Sequence, residues 1–233
     1  MYAVITGASR GMGKTMAIAF AKEGYDLVLV ARDPVKLEKT AAEISTQFPG
    51  KKVLYRAFDL SKKDDCMLMG EWVLQSGISI DVLINNAGTF EPGSIYNEPD
   101  GILDKMLSVN LMSAYHVTRG LVGKMISQGS GHIFNICSIA ALKAYANGGS
   151  YSISKFALAG FSRNLREEMM PHGIKVTTVY PGAVYTDSWI GSGVDPKRIM
   201  ESEDIAKMVV AASGLSVSAC VEEIVVRPLL GDL

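Results

Sequence analysis

Gly7-x-x-x-Gly11-x-Gly13 lies between a short apolar run, Tyr2–Thr6, and a helical pattern, Met12–Glu23. Few folds accommodate that arrangement. A strand that turns through glycines straight into a helix begins a βαβ unit, and Asp26–Val30 supplies the next strand once Gly24 has stopped the helix. Glycine in the turn removes the Cβ that would hold a ligand off, and the helix N-terminus offers unpaired N–H donors, so the turn suits a pyrophosphate. The spacing differs from the G-x-G-x-x-G dinucleotide fingerprint, and a merely tight turn is the alternative reading.

The same alternation runs to the end of the chain. Further strands are expected at Lys52–Phe58, Asp81–Ile84, Gly131–Cys137, Ile174–Tyr180 and Val221–Val226, and helices at Pro34–Phe48, Lys62–Ser76, Pro99–Ser127, Gly149–Pro171 and Ser202–Ser213. Strands alternating with helices predict an α/β fold, a doubly wound parallel sheet with helices on both faces, as a single domain over residues 1–233. With 48% hydrophobic residues the chain can bury a large core. Val184–Met200, rich in Gly and Ser around Trp189, fits neither pattern and reads as a long loop of the kind that often covers a site.

Charge and cysteine content exclude several classes. Lys and Arg number 23 against 24 Asp and Glu, a net charge of -1, which argues against a nucleic-acid or membrane-surface partner. No apolar stretch is long enough to span a bilayer, and residues 1–30 do not read as a signal peptide. Cys66, Cys137 and Cys220 form no C-x-x-C motif, and their odd number argues against a disulfide framework, so a reducing cytoplasm is expected. His116, His132 and His172 have neither the spacing nor the carboxylate neighbours of a metal site and read as structural.

Two further features carry chemistry. At the end of the second strand, where an acidic residue would hold the ribose 2′-hydroxyl of NAD, the chain has Ala31-Arg32, and an arginine there suits a 2′-phosphate. Arg10 adds a second cation inside the glycine turn, and Asp33 partly offsets Arg32. Farther on, Tyr151 and Lys155 stand four residues apart, on one face of a predicted helix. An ammonium beside a phenol lowers its pKa from about 10 toward neutrality, which is what a proton donor working near neutral pH needs. Alone the pair reads equally well as a surface helix with two amphipathic side chains.

Together with the motifs around it the pair identifies a resemblance. Thr6-Gly7-Ala8-Ser9-Arg10-Gly11-Met12-Gly13, Asp59-Leu60, Asn85-Asn86-Ala87-Gly88, Asn110, Ser138, Tyr151-Ser152-Ile153-Ser154-Lys155 and Pro181-Gly182-Ala183-Val184-Tyr185-Thr186 occur in the order found in the short-chain dehydrogenase/reductase family. The chain resembles that family over nearly its whole length. The resemblance implies strand order 3-2-1-4-5-6-7, an NAD(P) cofactor, which Arg10 and Arg32 narrow to NADP(H), and a homodimer or homotetramer. It implies a cofactor site made of the Gly7, Ser9, Arg10, Gly11, Met12 and Gly13 turn, Arg32, Asp59 and Leu60 at the adenine, and Asn86, Ala87 and Gly88 beneath the adenosine ribose. Pro181, Gly182, Val184 and Thr186 would line the nicotinamide, and Lys155 would hold its ribose.

Reduction of a carbonyl needs a hydride, which the cofactor supplies, and a proton, which the protein must supply. The resemblance makes Tyr151 the acid, Lys155 its electrostatic partner, Ser138 the group that polarises the carbonyl, and Asn110 the holder of a water connecting Lys155 to solvent. Asn110 needs a reason to sit in the apolar Leu107–Leu111 stretch, where an asparagine is otherwise a mild defect of a helix. Cys137 reads as a buried strand cysteine.

Tyr145, Tyr185 and Trp189, with Ser138 and Tyr151, are the expected substrate contacts. The C-terminal segment and the Pro-Gly-Ala-Val-Tyr-Thr stretch look like bacterial members related to sepiapterin reductase, in which Asp232 would face a pterin; pterins, quinones, diketones and acyl chains all stay open as substrates. A 3-oxoacyl-carrier-protein reductase and a non-catalytic NADP-sensing protein are the competing expectations. The first requires a basic patch that only Lys143 supplies, and the second typically loses the tyrosine or lysine kept here.

Overall fold

Runs of β-branched and aliphatic residues form β1 (Tyr2–Thr6), β2 (Asp26–Ala31), β3 (Val53–Ala57), β4 (Val82–Asn85), β5 (Gly131–Ile136), β6 (Ile174–Pro181) and β7 (Glu223–Val226). In the computed structural model, which describes residues 1–189, 191 and 193–232, they make one seven-stranded sheet in the order β3-β2-β1-β4-β5-β6-β7. Every pairing is parallel.

Helices α1 (Gly11–Lys22), α2 (Pro34–Gln47), α3 (Lys63–Gln75), α4 (Ile102–Leu107), α5 (Ser113–Gln128), α6 (Gly149–Met169) and α7 (Ser202–Ser213) cover both faces. Alternate strand residues divide between them: Ala3, Ile5, Leu27 and Leu29 pack under α1, α2 and α7, whereas Val4, Val28, Val30 and Leu83 pack under α3, α5 and α6. Because neither face meets water, the central strands are apolar throughout rather than alternating. All four residues of β4 are buried. The strand order reverses between β1 and β4, which opens a crevice at the C-terminal ends of those strands, where ligands of doubly wound sheets bind.

The expected fold, strand order and seven strands are those observed, with ends shifted by a residue or two. One helix differs. The helix expected over Pro99–Ser127 is two helices, α4 and α5, joined by a π-helical turn at Ser108–Met112 that carries Asn110. Over Val184–Met200 the chain is pinned at its base by the Val184–Met200 bridge, by Tyr185 N–H donating to Met200 O (2.7 Å) and by Met200 N–H donating to Ala183 O (3.0 Å). Short 3₁₀ turns at Asp187–Trp189 and Pro196–Arg198 follow within it. Residues 190 and 192 of that expected loop lie outside the described residues.

His132, read as structural, is buried in β5, with Nε2 2.6 Å from the Thr177 hydroxyl and its ring stacked on Phe134. Burial and the Lys175 charge push its pKa down to about 3 from 6.5. A depressed folded-state value means that the stabilisation is present above the unfolded pKa and is lost as pH falls toward the folded one. Stability should therefore decline below about pH 6.5 by up to ~1.4 kcal/mol per pH unit from this residue. In urea titrations at about pH 7 and about pH 4.5, His132→Gln should show a shallower loss than the parent, by up to one proton. Equal slopes would remove His132 as the cause.

Candidate active site

The glycine turn is shaped by backbone conformation and by what presses against it. Gly7 and Gly11 have φ of 65° and 51°, in the left-handed region. Gly13 is helical, but a Cβ there would lie 2.2 Å from Gly7 O and 2.6 Å from Asn86 Nδ2, so the first turn of α1 seats directly on β1. The Thr6 hydroxyl accepts from the Asn86 and Ala87 amides (both 3.0 Å), while Asn86 Nδ2 donates to Thr6 O (3.0 Å) and Gly7 O (3.2 Å). Thr40 of α2 donates to Ser9 O (3.0 Å). Asn86-Ala87 thus ties the end of β4 to the turn, and the Arg10 side chain at the N-cap of α1 makes no cap bond. This is a fitted cradle for a dinucleotide: a helix N-terminus, glycine where a side chain would intrude, and cations beside it.

Arg32 is exposed at the end of β2. Asp33, expected to oppose it, is occupied elsewhere: it caps α2 by accepting from Lys36 N–H (3.1 Å) and pairs with the Lys36 ammonium (3.7 Å). Burial raises the Asp59 carboxyl, but the Ser61 hydroxyl and amide, with Arg32 and Lys62 nearby, hold it below the usual range. Leu60 is buried beside it. Arg10 reaches toward Asp187 of the following loop at 3.8 Å, an exposed pair that is weak in water.

At the other side of the crevice α6 presents Tyr151 and Lys155 one turn apart. Lys155 is buried, donates from Nζ to Ile136 O (3.0 Å), and lies 5.9 Å from the centre of the Tyr151 ring. Burial pushes the Tyr151 phenol above its ordinary value, against a hydrogen bond with Ser138 that lowers it, and burial pushes the Lys155 ammonium down. In this structure burial is the largest influence on the phenol.

Ser138 caps the 3₁₀ turn Ile139–Ala141 by accepting from Ala140 N–H (3.1 Å), and Ser152 of α6 donates to Ala140 O (2.7 Å), which fixes that turn against the helix. Asn110 is fully buried and its side chain is committed to protein. It accepts from Thr89 N–H (2.7 Å) and donates to Thr89 O (3.0 Å) and Ser154 Oγ (2.9 Å). A Cβ on Gly88 would stand 3.3 Å from Asn110 Oδ1 and 3.7 Å from Lys155 Nζ, so Gly88, Asn110 and Lys155 converge. Cys137 is buried, donates to Lys155 O (3.2 Å), and burial pushes its thiol up, as a strand cysteine requires.

One aromatic ring flanks the phenol. Phe90 meets Tyr151 edge-on with centroids 4.8 Å apart, and Tyr145 stands on the segment just before α6. Tyr185 and Trp189 stand on the 184–200 segment, and among the described residues no ring contact joins them to Tyr151. Beyond β7, Arg198 donates to the carbonyls of Gly231 (3.0 Å), Leu230 (3.3 Å) and Asp232 (3.3 Å). Asp232 pairs with Arg227, and its Oδ1 is 3.4 Å from where a Cβ on Gly182 would lie. Thr6, Thr89, Phe90 and Ser154 belong to this arrangement without having been singled out in the sequence. Ser154, a serine buried between Tyr151 and Lys155, was the one with a readable signal.

The fold and this pair of half-sites define a dinucleotide-dependent oxidoreductase built on a doubly wound sheet. Residues 1–195 match the model of the short chain dehydrogenase family, and the chain belongs to that family. It is 34% identical to a sepiapterin reductase of Chlorobaculum tepidum over 99% of this chain and 97% of that one. A metagenomic short-chain oxidoreductase solved with NADP superposes with a TM-score of 0.85 at 32% identity, covering 98% and 96% of the two chains. An L-sorbose reductase of Gluconobacter frateurii, solved with NADPH and L-sorbose, gives 0.90 at 31%, covering 97% and 94%. Among the described residues no helix is long and apolar enough to cross a membrane, and no three His, Cys, Asp or Glu side chains gather as a metal site.

Proposed function

We propose that the protein is an NADPH-dependent reductase that converts a ketone or aldehyde to an alcohol, with a compact cyclic ketone or diketone, sepiapterin-like in shape, as substrate. The observation that carries this reading is geometric: α6 sets Tyr151 and the buried Lys155 one turn apart, and Lys155 converges with Asn110 on Gly88 at the end of β4, whose Asn86 is bonded to the glycine turn. A bound nicotinamide dinucleotide supplies the hydride for the carbonyl carbon. Tyr151 delivers its proton to the carbonyl oxygen, and Ser138 donates a hydrogen bond to the same oxygen. Lys155, held by Ile136 O, positions the cofactor ribose and restores the proton to Tyr151, with Asn110 fixing the Gly88-Thr89 strand end against α6. Pro181, Gly182, Val184 and Thr186 line the nicotinamide, and Asp59, Leu60, Asn86 and Ala87 the adenosine.

Arg32 supports NADP(H) over NAD(H), since its guanidinium is exposed where the 2′-phosphate would sit and Asp33 is spent on α2. The relatives solved with NADP or NADPH and the sepiapterin reductase of Chlorobaculum tepidum support the same cofactor and substrate class. Asp232, beside Gly182, offers a carboxylate to the N–H groups of a heterocyclic substrate, as its expected role in the sepiapterin-related members has it. Purified protein should oxidise NADPH faster than NADH with a panel of diketones, aldehydes and sepiapterin. Arg32→Ala should raise KM for NADPH about 10- to 100-fold and leave KM for NADH nearly unchanged, because charge-assisted bonds to a phosphate contribute roughly 1.5–3 kcal/mol. A parent enzyme that prefers NADH would refute the cofactor assignment.

A further inference from the structure

Two irregular segments meet at the start of α6. One, residues 86–101, follows β4 and carries Phe90; the other, residues 142–148, precedes α6 and carries Tyr145. The first brings the Phe90 ring edge-on to Tyr151. The contacts between the first segment and the second, with the start of α6, are polar. Glu98 accepts from the Ser150 hydroxyl and from Ser150 N–H (3.4 Å), and Ser150 is fully buried. Gly93 N–H donates to Asn147 O (3.1 Å), and the Ser94 hydroxyl donates to Asn147 Oδ1 (2.6 Å).

Backbone conformation adjusts to this contact. Asn147 has φ of 60°, the one positive φ outside glycine among the described residues, and Gly149 has φ of 38°. A Cβ on Gly149 would lie 2.3 Å from Gly93 O and 2.8 Å from Glu98 Oε2, so only glycine lets the two segments close. Glu91, Gly93, Glu98 and Ile102 also line an open cleft of about 450 Å³ beside the first segment.

We infer that Glu98 is a positioning residue: through Ser150 it latches the segment that carries Phe90 to the segment before α6 as one rigid rim and sets the first turn of the helix that carries Tyr151. Glu98 stays off the reacting atoms. Its carboxylate bonds the residue immediately before Tyr151, in the first turn of α6, where a negative group also suits the helix N-terminus. The rim it closes determines where Phe90 and Tyr151 meet a flat substrate.

Hydrogen exchange on Glu98→Ala, measured without substrate, should accelerate amides in both 91–98 and 142–150 by roughly tenfold or more, leaving β1, β4 and β5 protected. Glu98→Gln, which keeps an acceptor for the Ser150 hydroxyl, should recover part of that protection. The kinetic arm rests on the reductase reading: KM for a bicyclic carbonyl should rise about tenfold in Glu98→Ala with kcat within roughly threefold, while KM for a small acyclic diketone changes less. Faster exchange confined to one segment, or unchanged exchange in both, overturns the latch. So does an unchanged KM for the bicyclic substrate in an active parent enzyme. A parent that turns over no carbonyl would refute the reductase reading alone, and the exchange measurement would still decide the latch.

Discussion

Tyr151→Phe lowers kcat/KM for carbonyl reduction by about 10²- to 10⁴-fold, the range in which a positioned general acid contributes. The substitution removes one hydroxyl and leaves the ring. The edge-on contact with Phe90 at 4.8 Å therefore survives, as do the Ser154 bond to the Tyr151 carbonyl (2.7 Å) and the Lys155 bond to Ile136 O. Fold and dinucleotide affinity should match the parent, checked by thermal melting and by titration of NADPH fluorescence. The pH profile adds a second check. Burial holds the phenol above its ordinary value, and reduction needs the protonated form, so the reduction rate should be flat through neutrality and fall only on the alkaline side. The reverse oxidation needs the phenolate and should rise over that same alkaline range. Full turnover by Tyr151→Phe would remove Tyr151 from the mechanism.

Gly13→Ala is the second large effect, and it strikes stability and binding together. The added methyl would sit 2.2 Å from Gly7 O, 2.6 Å from Asn86 Nδ2 and 2.8 Å from Gly7 C, distances at which backbone must move. Little there can move cheaply. Gly7 is held through Asn86 and Thr6 to the end of β4, and Ser9 is held by Thr40. Overpacking of this kind costs about 1–3 kcal/mol. At roughly 2–4 °C per kcal/mol for a domain of this size, Tm should fall by about 2–12 °C, with the affinity for NADPH reduced as the turn opens. Gly160→Ala provides the control. Gly160 lies inside α6, and a methyl there would have nothing within 4 Å, so alanine should be neutral or stabilising by about 0.5–1 kcal/mol. Identical melting of the two variants would dismiss the close approach at Gly13.

The parts legible in the sequence were those set by local chemistry. Strand–glycine–helix at residues 2–22 announces itself, because left-handed backbone at Gly7 and Gly11 and a missing side chain at Gly13 are requirements of residue type. The position of Asn110 was readable and its company was not. Its partners Thr89 and Ser154 are 21 and 44 residues away; Ser154 lies within the Tyr151–Lys155 motif, but nothing in the sequence joins either residue to Asn110. The burial of Tyr151 and Lys155 was also beyond the sequence, because a spacing of four residues gives proximity but not the depth of the site. Phe90 and Glu98 were invisible for another reason. They lie in a segment without periodicity, and their roles come from meeting Tyr151 and Ser150, which the topology alone brings near.

The π-turn at Ser108–Met112 explains why one long helix was expected where there are two. A single α-helix advances about 100° per residue, so all of its apolar positions face one way. A turn closed by i→i+5 bonds accommodates an additional residue and shifts the phase of whatever follows. Here α4 packs on α6, the helix that carries the phenol, while α5 packs chiefly on α3, against β4 and β5. One continuous rod thereby meets two different neighbours, and Asn110 sits at the point of rotation. Deleting a single residue from Ser108–Met112 would restore a regular helix and turn the whole of α5 away from α3, a larger change to the molecule than the loss of any one side chain at the site.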